Sequence, residues 1–258
     1  QFKEEDVPEP PAVKQTGWLI NRYYVGCKGT KPSGEQILMN VEAVGICKVA
    51  GNMPSAVDEH KMVDMYMLTY YNADKKQLWQ YFYSGEGANT CESDAIEKRP
   101  DDALDVYMYN MTGKCESKDP MGLINAVSDF EPDAKTLPEA EFAKRGPVTA
   151  YYDSGGDCSS NKHVTSYTVR NSDVCYEAYE DYNNTLKFVA RQDTCETNFT
   201  STTLREPMNS RNKCGGEVLG TSAISPIVTC FNNNNTGASR WGLPFQLGRH
   251  YSTFCADG

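Results

Sequence analysis

Most of this chain is laid out in short apolar runs dense in aromatic and β-branched residues, the pattern of β-strands. Runs rich in aromatic and β-branched residues cover 17–25, 36–47, 63–71, 78–83 and 104–111, separated by Gly, Pro, Asn and Asp. The second half continues in the same style over 148–152, 163–170, 174–179, 186–191 and 224–231. Asn72-Ala73-Asp74-Lys75-Lys76 lies between two of the strongest runs and reads as a hairpin loop. One helix is predicted, over 137–144, with Pro138 in its first turn and Gly146-Pro147 ending it. Short strands at this spacing indicate sandwiches or barrels.

Two of the strands in the first half are apolar on both sides. Val63, Met65, Met67 and Tyr71 alternate with Tyr66, Leu68 and Tyr70, and Val106 and Met108 with Tyr107, Tyr109 and Met111. An exposed sandwich strand needs only one apolar face. A second such face predicts a cover supplied by another domain, by the tail or by another molecule, since large apolar patches seldom stay exposed. Residues 1–15 break the pattern. They are charged and rich in proline, and Pro8, Pro10 and Pro11 favour an extended polyproline-like path. Alone such a segment buries too little apolar surface to offset its ordering entropy, so it needs something to lie against.

Ten cysteines give the chain its second layer of order. Cys27, Cys47, Cys91 and Cys115 form one series, and Cys158, Cys175, Cys195 and Cys214 a second, followed by Cys230 and Cys255. Local sequence repeats with them: Tyr23-Tyr24 with Tyr151-Tyr152, Asn89-Thr90-Cys91-Glu92 with Asp193-Thr194-Cys195-Glu196, and Gly113-Lys114-Cys115 with Asn212-Lys213-Cys214. These echoes suggest a duplicated, disulfide-stapled module. The expected pairing joins neighbours: Cys27–Cys47, Cys91–Cys115, Cys158–Cys175, Cys195–Cys214 and Cys230–Cys255. The fold expected is all-β: two tandem disulfide-stapled β-sandwich domains of immunoglobulin-like type. They cover 16–132 and 147–258, after an extended tail over 1–15 and joined by a linker with a short helix over 133–146.

Composition narrows the setting. The even cysteine count without a CxxC pair points to disulfides, an oxidising compartment and a location outside the cell or at its surface. The start at Gln1, without an apolar leader, fits a mature secreted product, and no run of 18 apolar residues is long enough to span a membrane. A net charge of −10 argues against nucleic acid, which needs a basic face. Asn110, Asn183, Asn198 and Asn234 head N-x-Ser/Thr sequons and are expected to carry N-glycans.

The constellations that carry chemistry all have plainer readings. Asp153-Ser154-Gly155-Gly156 matches part of a serine-protease nucleophile turn, but Tyr152 and Asp157 replace the flanking Gly and Pro, and His60 sits in a polar context; a turn into Cys158 suffices. Met62, Met65 and Met67 have a copper(I)-like spacing, yet strand geometry turns Met62 away, which favours packing. Trp18, Trp79 and Trp241 could stack on sugars but read first as core. Neither a cofactor nor a metal is expected, and no enzymatic activity.

The sequence therefore predicts a secreted, non-enzymatic structural glycoprotein that self-assembles as the subunit of an extracellular filament. Its partner is another copy of itself, contacted head to tail through strand addition by the segment from Val7 to Trp18. Val7, Pro8, Pro10, Pro11, Val13, Trp18, Met65, Met67, Tyr107 and Tyr109 are the candidate interface residues. The alternative is a cell-surface adhesin or carbohydrate-binding protein acting as monomer or dimer.

Overall fold

The computed structural model describes residues 17–58, 60–86, 103–117, 125–132, 146–152, 158, 164–172, 174–182, 185–195, 200–208, 214–224, 230–232, 248 and 250–255. The tail over 1–15, the predicted helix over 137–144, the serine turn at 153–156 and Trp241 lie outside these residues.

The described chain is all-β, with antiparallel pairing throughout. The first half supplies β1 (Gly17–Lys28), β2 (Lys31–Val44), β3 (Cys47–Pro54), β4 (Met62–Asn72), β5 (Gln77–Ser84), β6 (Asp105–Asn110), β7 (Glu116–Ser117) and β8 (Asn125–Pro132). The second half supplies β9 (Pro147–Tyr152), β10 (Val164–Arg170), β11 (Cys175–Tyr182), β12 (Thr185–Cys195), β13 (Thr200–Arg205), β14 (Val218–Ile224), β15 (Phe231–Asn232) and β16 (His250–Cys255). They form one eight-stranded sheet, ordered β15-β16-β9-β10-β2-β1-β8-β7, and two four-stranded sheets, β3-β4-β5-β6 and β11-β12-β13-β14. Most of the predicted runs are strands here, and β4 and β5 form the predicted hairpin, closing at Asn72↔Gln77. The run over 224–231 is not one strand, because β14 ends at Ile224 and β15 begins at Phe231.

The topology repeats. Each half has a hairpin, a four-stranded meander and two returning strands, and the halves meet where β2 pairs with β10. The register repeats as well. Tyr23 lies between Leu38 and Ala126, and its counterpart Tyr151 lies between Ser166 and Tyr251. Both hairpins shift register directly after these tyrosines. At the joint Asn40 faces Thr168, flanked by Glu42↔Ser166 and Leu38↔Arg170, so the pairing is symmetric about that one pair.

Alternation gives the large sheet two different faces. One is apolar: Trp18, Ile20, Met39, Val41, Val148, Ala150, Tyr167 and Val169 pack together with Cys158 and Cys230. The other carries buried Asn40, Glu42, Thr149, Ser166 and Thr168. Gly45, with φ of +82°, turns the chain from β2 toward β3, a left-handed conformation that suits glycine. Beyond this corner the β3–β6 sheet buries Tyr66, Leu68, Trp79, Tyr81 and Tyr83 on one side and Met67 and Phe82 on the other. Leu78, Tyr71 and Met111 then pack against Leu19, Val44 and Phe130. Much of the second apolar face of β4 is thus used inside the chain.

The disulfides depart from the expected neighbour pairing. The structure joins Cys27 to Cys115, Cys158 to Cys230, Cys175 to Cys214 and Cys195 to Cys255, and Cys47 is also bonded. Strand geometry explains why. Cys27 lies near the end of β1, opposite Pro32, whereas Cys47 lies beyond the far end of β2, at the start of β3. About 3.4 Å per residue along β2 puts them far outside the roughly 6 Å that a disulfide spans between Cα atoms. Bridges instead join segments that the sheets bring side by side. Cys27–Cys115 and Cys158–Cys230 occupy equivalent places, each tying the outer end of a hairpin to the segment just before a returning strand.

Candidate assembly edge

Strand β6 is the outermost strand of its sheet, and among the described residues nothing pairs with its outer side. Its inner side continues past both ends of the strand: Leu104 N–H donates to Phe82 O at 2.7 Å and Met111 N–H to Lys76 O at 2.8 Å. Alternation sends Val106 and Met108 to the sheet's aromatic core and Asp105, Tyr107 and Tyr109 to the other face. Tyr107 is 46% exposed, Tyr109 44% and Leu104 55%. Tyr107 meets the Phe82 ring edge-on at 5.7 Å. Its hydroxyl bonds the Asp105 carboxylate, which together with burial and that charge raises its pKa. Burial raises the pKa of Tyr109, and the charges of Glu42 and Asp105 add to this. Edge strands of soluble proteins are commonly blunted by lysine, proline or bulges. β6 has none of these, and Asp105 is its one charge.

At the far end of β6 the β4–β5 loop presents exposed Lys75 and Lys76, beside Asp74. Asn72 Oδ1 accepts from Lys75 N–H at 3.1 Å, and Lys76 adopts a left-handed φ of 51°, which together set the loop. Asn110 is the last residue of the strand and exposed, and Gln77 Nε2 approaches its side-chain oxygen at 3.5 Å. The edge of the other meander, β14, is also weakly guarded, with Val218 48% exposed and Thr221, Ser222 and Ala223 outward.

Of the other candidate interface residues, Trp18 and Met67 belong to the protein's own core and Met65 is half-buried. Val7, Pro8, Pro10, Pro11 and Val13, like the sequons at Asn183, Asn198 and Asn234, lie outside the described residues. Trp79 is in the core as well, His60 is exposed, and Met62 lies on the surface.

Two polar clusters that sequence reasoning did not find sit at the seams between sheets. At the corner, Lys48 Nζ donates to Glu42 Oε1 at 2.6 Å and to Ala43 O, and Thr69 Oγ1 donates to the same carboxylate oxygen. Both charges are buried. Burial, and then the Glu42 charge, push the Tyr23 phenol up. In the second half, Asp193 accepts from Arg191 Nε at 3.0 Å, Thr202 Oγ1 at 2.6 Å and Tyr176 O–H at 3.0 Å. Arg170 of β10 lies 3.8 Å away and also donates to Thr149. Burial alone would raise the Asp193 pKa, but the two guanidiniums and these hydrogen bonds bring it down to about 2. Burial raises Tyr151 nearby to about 12. The only sequence signal for either cluster was a charged residue at an inward strand position. Among the described residues no group of three or more His, Cys, Asp or Glu side chains could hold a metal ion.

No protein-family model, no curated protein and no solved structure matches this chain.

Proposed function

We propose that the protein is a secreted, non-enzymatic structural glycoprotein whose copies assemble head to tail, as the subunit of an extracellular filament. The observation that carries this reading is β6, a sheet edge without a blunting lysine or proline and with Leu104, Tyr107 and Tyr109 exposed along it. The N-terminal segment of one copy adds to the edge of the next. Gly17 and Trp18 already pair within β1, so the donor lies before them. A contact between two different surfaces does not close on itself, and therefore propagates.

The described disulfides, and the absence among the described residues of a helix long and apolar enough to cross a membrane, fit a protein outside the cell. The repeated strand order and register support an origin by internal duplication, with each half built as a sandwich-like module. Exposed Asn110 suits a glycan.

Deleting residues 1–15 tests the reading. The shortened protein is expected to keep its fold and thermal transition while remaining monomeric in sedimentation and by negative-stain imaging. A parent protein that stays monomeric at every concentration, or a deletion variant that assembles like the parent, would refute it. Glycan-array binding by a stable monomer would favour the adhesin alternative.

A further inference from the structure

We infer that the N-terminal segment of a second copy lies antiparallel on the outer edge of β6. Its residues Glu4, Glu5 and Asp6 then sit at Lys75 and Lys76, and Lys14 at Asp105. The inference rests on the tail-docking reading above and names the surface and direction that the reading leaves open.

Charge order and length argue for it together. From Glu4 onward, past Lys3, the segment reads acidic, apolar, basic: Glu4-Glu5-Asp6, then Val7 to Val13 interrupted only by Glu9, then Lys14. The β6 edge, read from its C-terminal end, runs through Met111, Tyr109, Tyr107 and Leu104, with Asp105 near its start. Exposed Lys75 and Lys76 lie just beyond that C-terminal end, on the β4–β5 loop at the inner side of β6, within reach of long side chains around the strand end. The two orders match only when the strands run in opposite directions. The apolar stretch from Val7 to Val13 extends about 20 Å, and the edge from Leu104 to Met111 about 24 Å. The β14 edge offers no such match, since the described residues at the C-terminal end of β14 include no lysine or arginine.

The prolines fit an edge position. Pro8 and Pro10 have the same parity, so their missing N–H groups can both face away from β6 while Val7 and Glu9 direct N–H and C=O groups inward. Pro11 forfeits one inward bond and suits a polyproline path across exposed tyrosine rings. A strand with proline on its outer side offers no edge to a third chain. The added strand thus ends the sheet, and growth is confined to the head-to-tail direction.

Charge reversal tests the register. Lys75→Glu with Lys76→Glu is expected to raise the protein concentration needed for assembly by about tenfold. Adding Glu4→Lys and Glu5→Lys to that variant should restore it. Asp105→Lys with Lys14→Glu forms a second such set, and unchanged thermal transitions in every variant establish that folding is intact. Weakening without rescue, or no weakening at all, overturns the placement. If deletion of residues 1–15 abolishes assembly while the charge variants behave like the parent, tail docking survives and its site is elsewhere. If the deletion has no effect, both fail.

Discussion

Residues that combine burial with charge hold this structure's seams. Glu42 and Lys48 are both buried, and the hydroxyl of Thr69 completes the carboxylate's contacts. A buried pair contributes little compared with an apolar replacement, but removing one partner strands the other. Glu42→Gln should therefore cost about 3 kcal/mol in urea unfolding, whereas replacing Glu42 and Lys48 together with apolar residues should cost much less. Asp193 gives a pH signature. Its folded pKa of about 2 lies below the ordinary value of 3.8, so its contribution is fully present above about pH 4 and is lost as pH falls through about 2. The size is about 2 kcal/mol, and an Asp193→Asn variant should lack this acid-dependent part of the stability curve. Neither cluster was legible beforehand. The sequence marks Glu42 and Asp193 as charges within strands, but only the pairing of different sheets brings Lys48, Thr69 or Arg170 to them.

At the scale of elements, runs of aromatic and β-branched residues between turn residues made most strands of the first half readable, and the Asn72–Lys76 loop with its flanking runs emerged as a hairpin. The strands that escaped notice were β3, β7, β8, β13, β14 and β16. Thr200–Arg205 and Val218–Ile224 have few large apolar side chains and are held as strands by ladder bonds to their neighbours. Disulfide pairing was unreadable for the opposite reason, because neighbours in sequence lie at opposite ends of long strands. Cys27–Cys115 closes 88 residues rather than the short loop that adjacency suggests. Replacing both with serine should cost about 2–5 kcal/mol, measurable by thermal unfolding. Gly45 is a second element-scale determinant. A side chain there must adopt φ near +82°, so Gly45→Ala should destabilise the corner by about 1 kcal/mol, again read from unfolding curves.

Across the whole molecule, the bridges do not follow the step-by-step matching of the two cysteine series that the sequence suggested. The architecture sets Cys27 and Cys115 against Cys158 and Cys230, and leaves Cys195–Cys255 without a described counterpart in the first half. That extra bridge ties the second meander, through β12, to β16 of the large sheet. The joint between halves carries a different burden. Residues 17–132 produced alone would expose the β2 edge together with the apolar face around Met39 and Val41. Such a fragment should self-associate or fail to fold, as sedimentation and circular dichroism would show.

The symmetric pairing of β2 with β10 also bears on dilution. If the halves were separate chains, their contact would be an ordinary association equilibrium, open whenever protein is scarce. Joined in one polypeptide, each half meets the other at an effective concentration on the order of millimolar, whatever the surroundings. The central seam therefore stays closed however dilute the protein becomes.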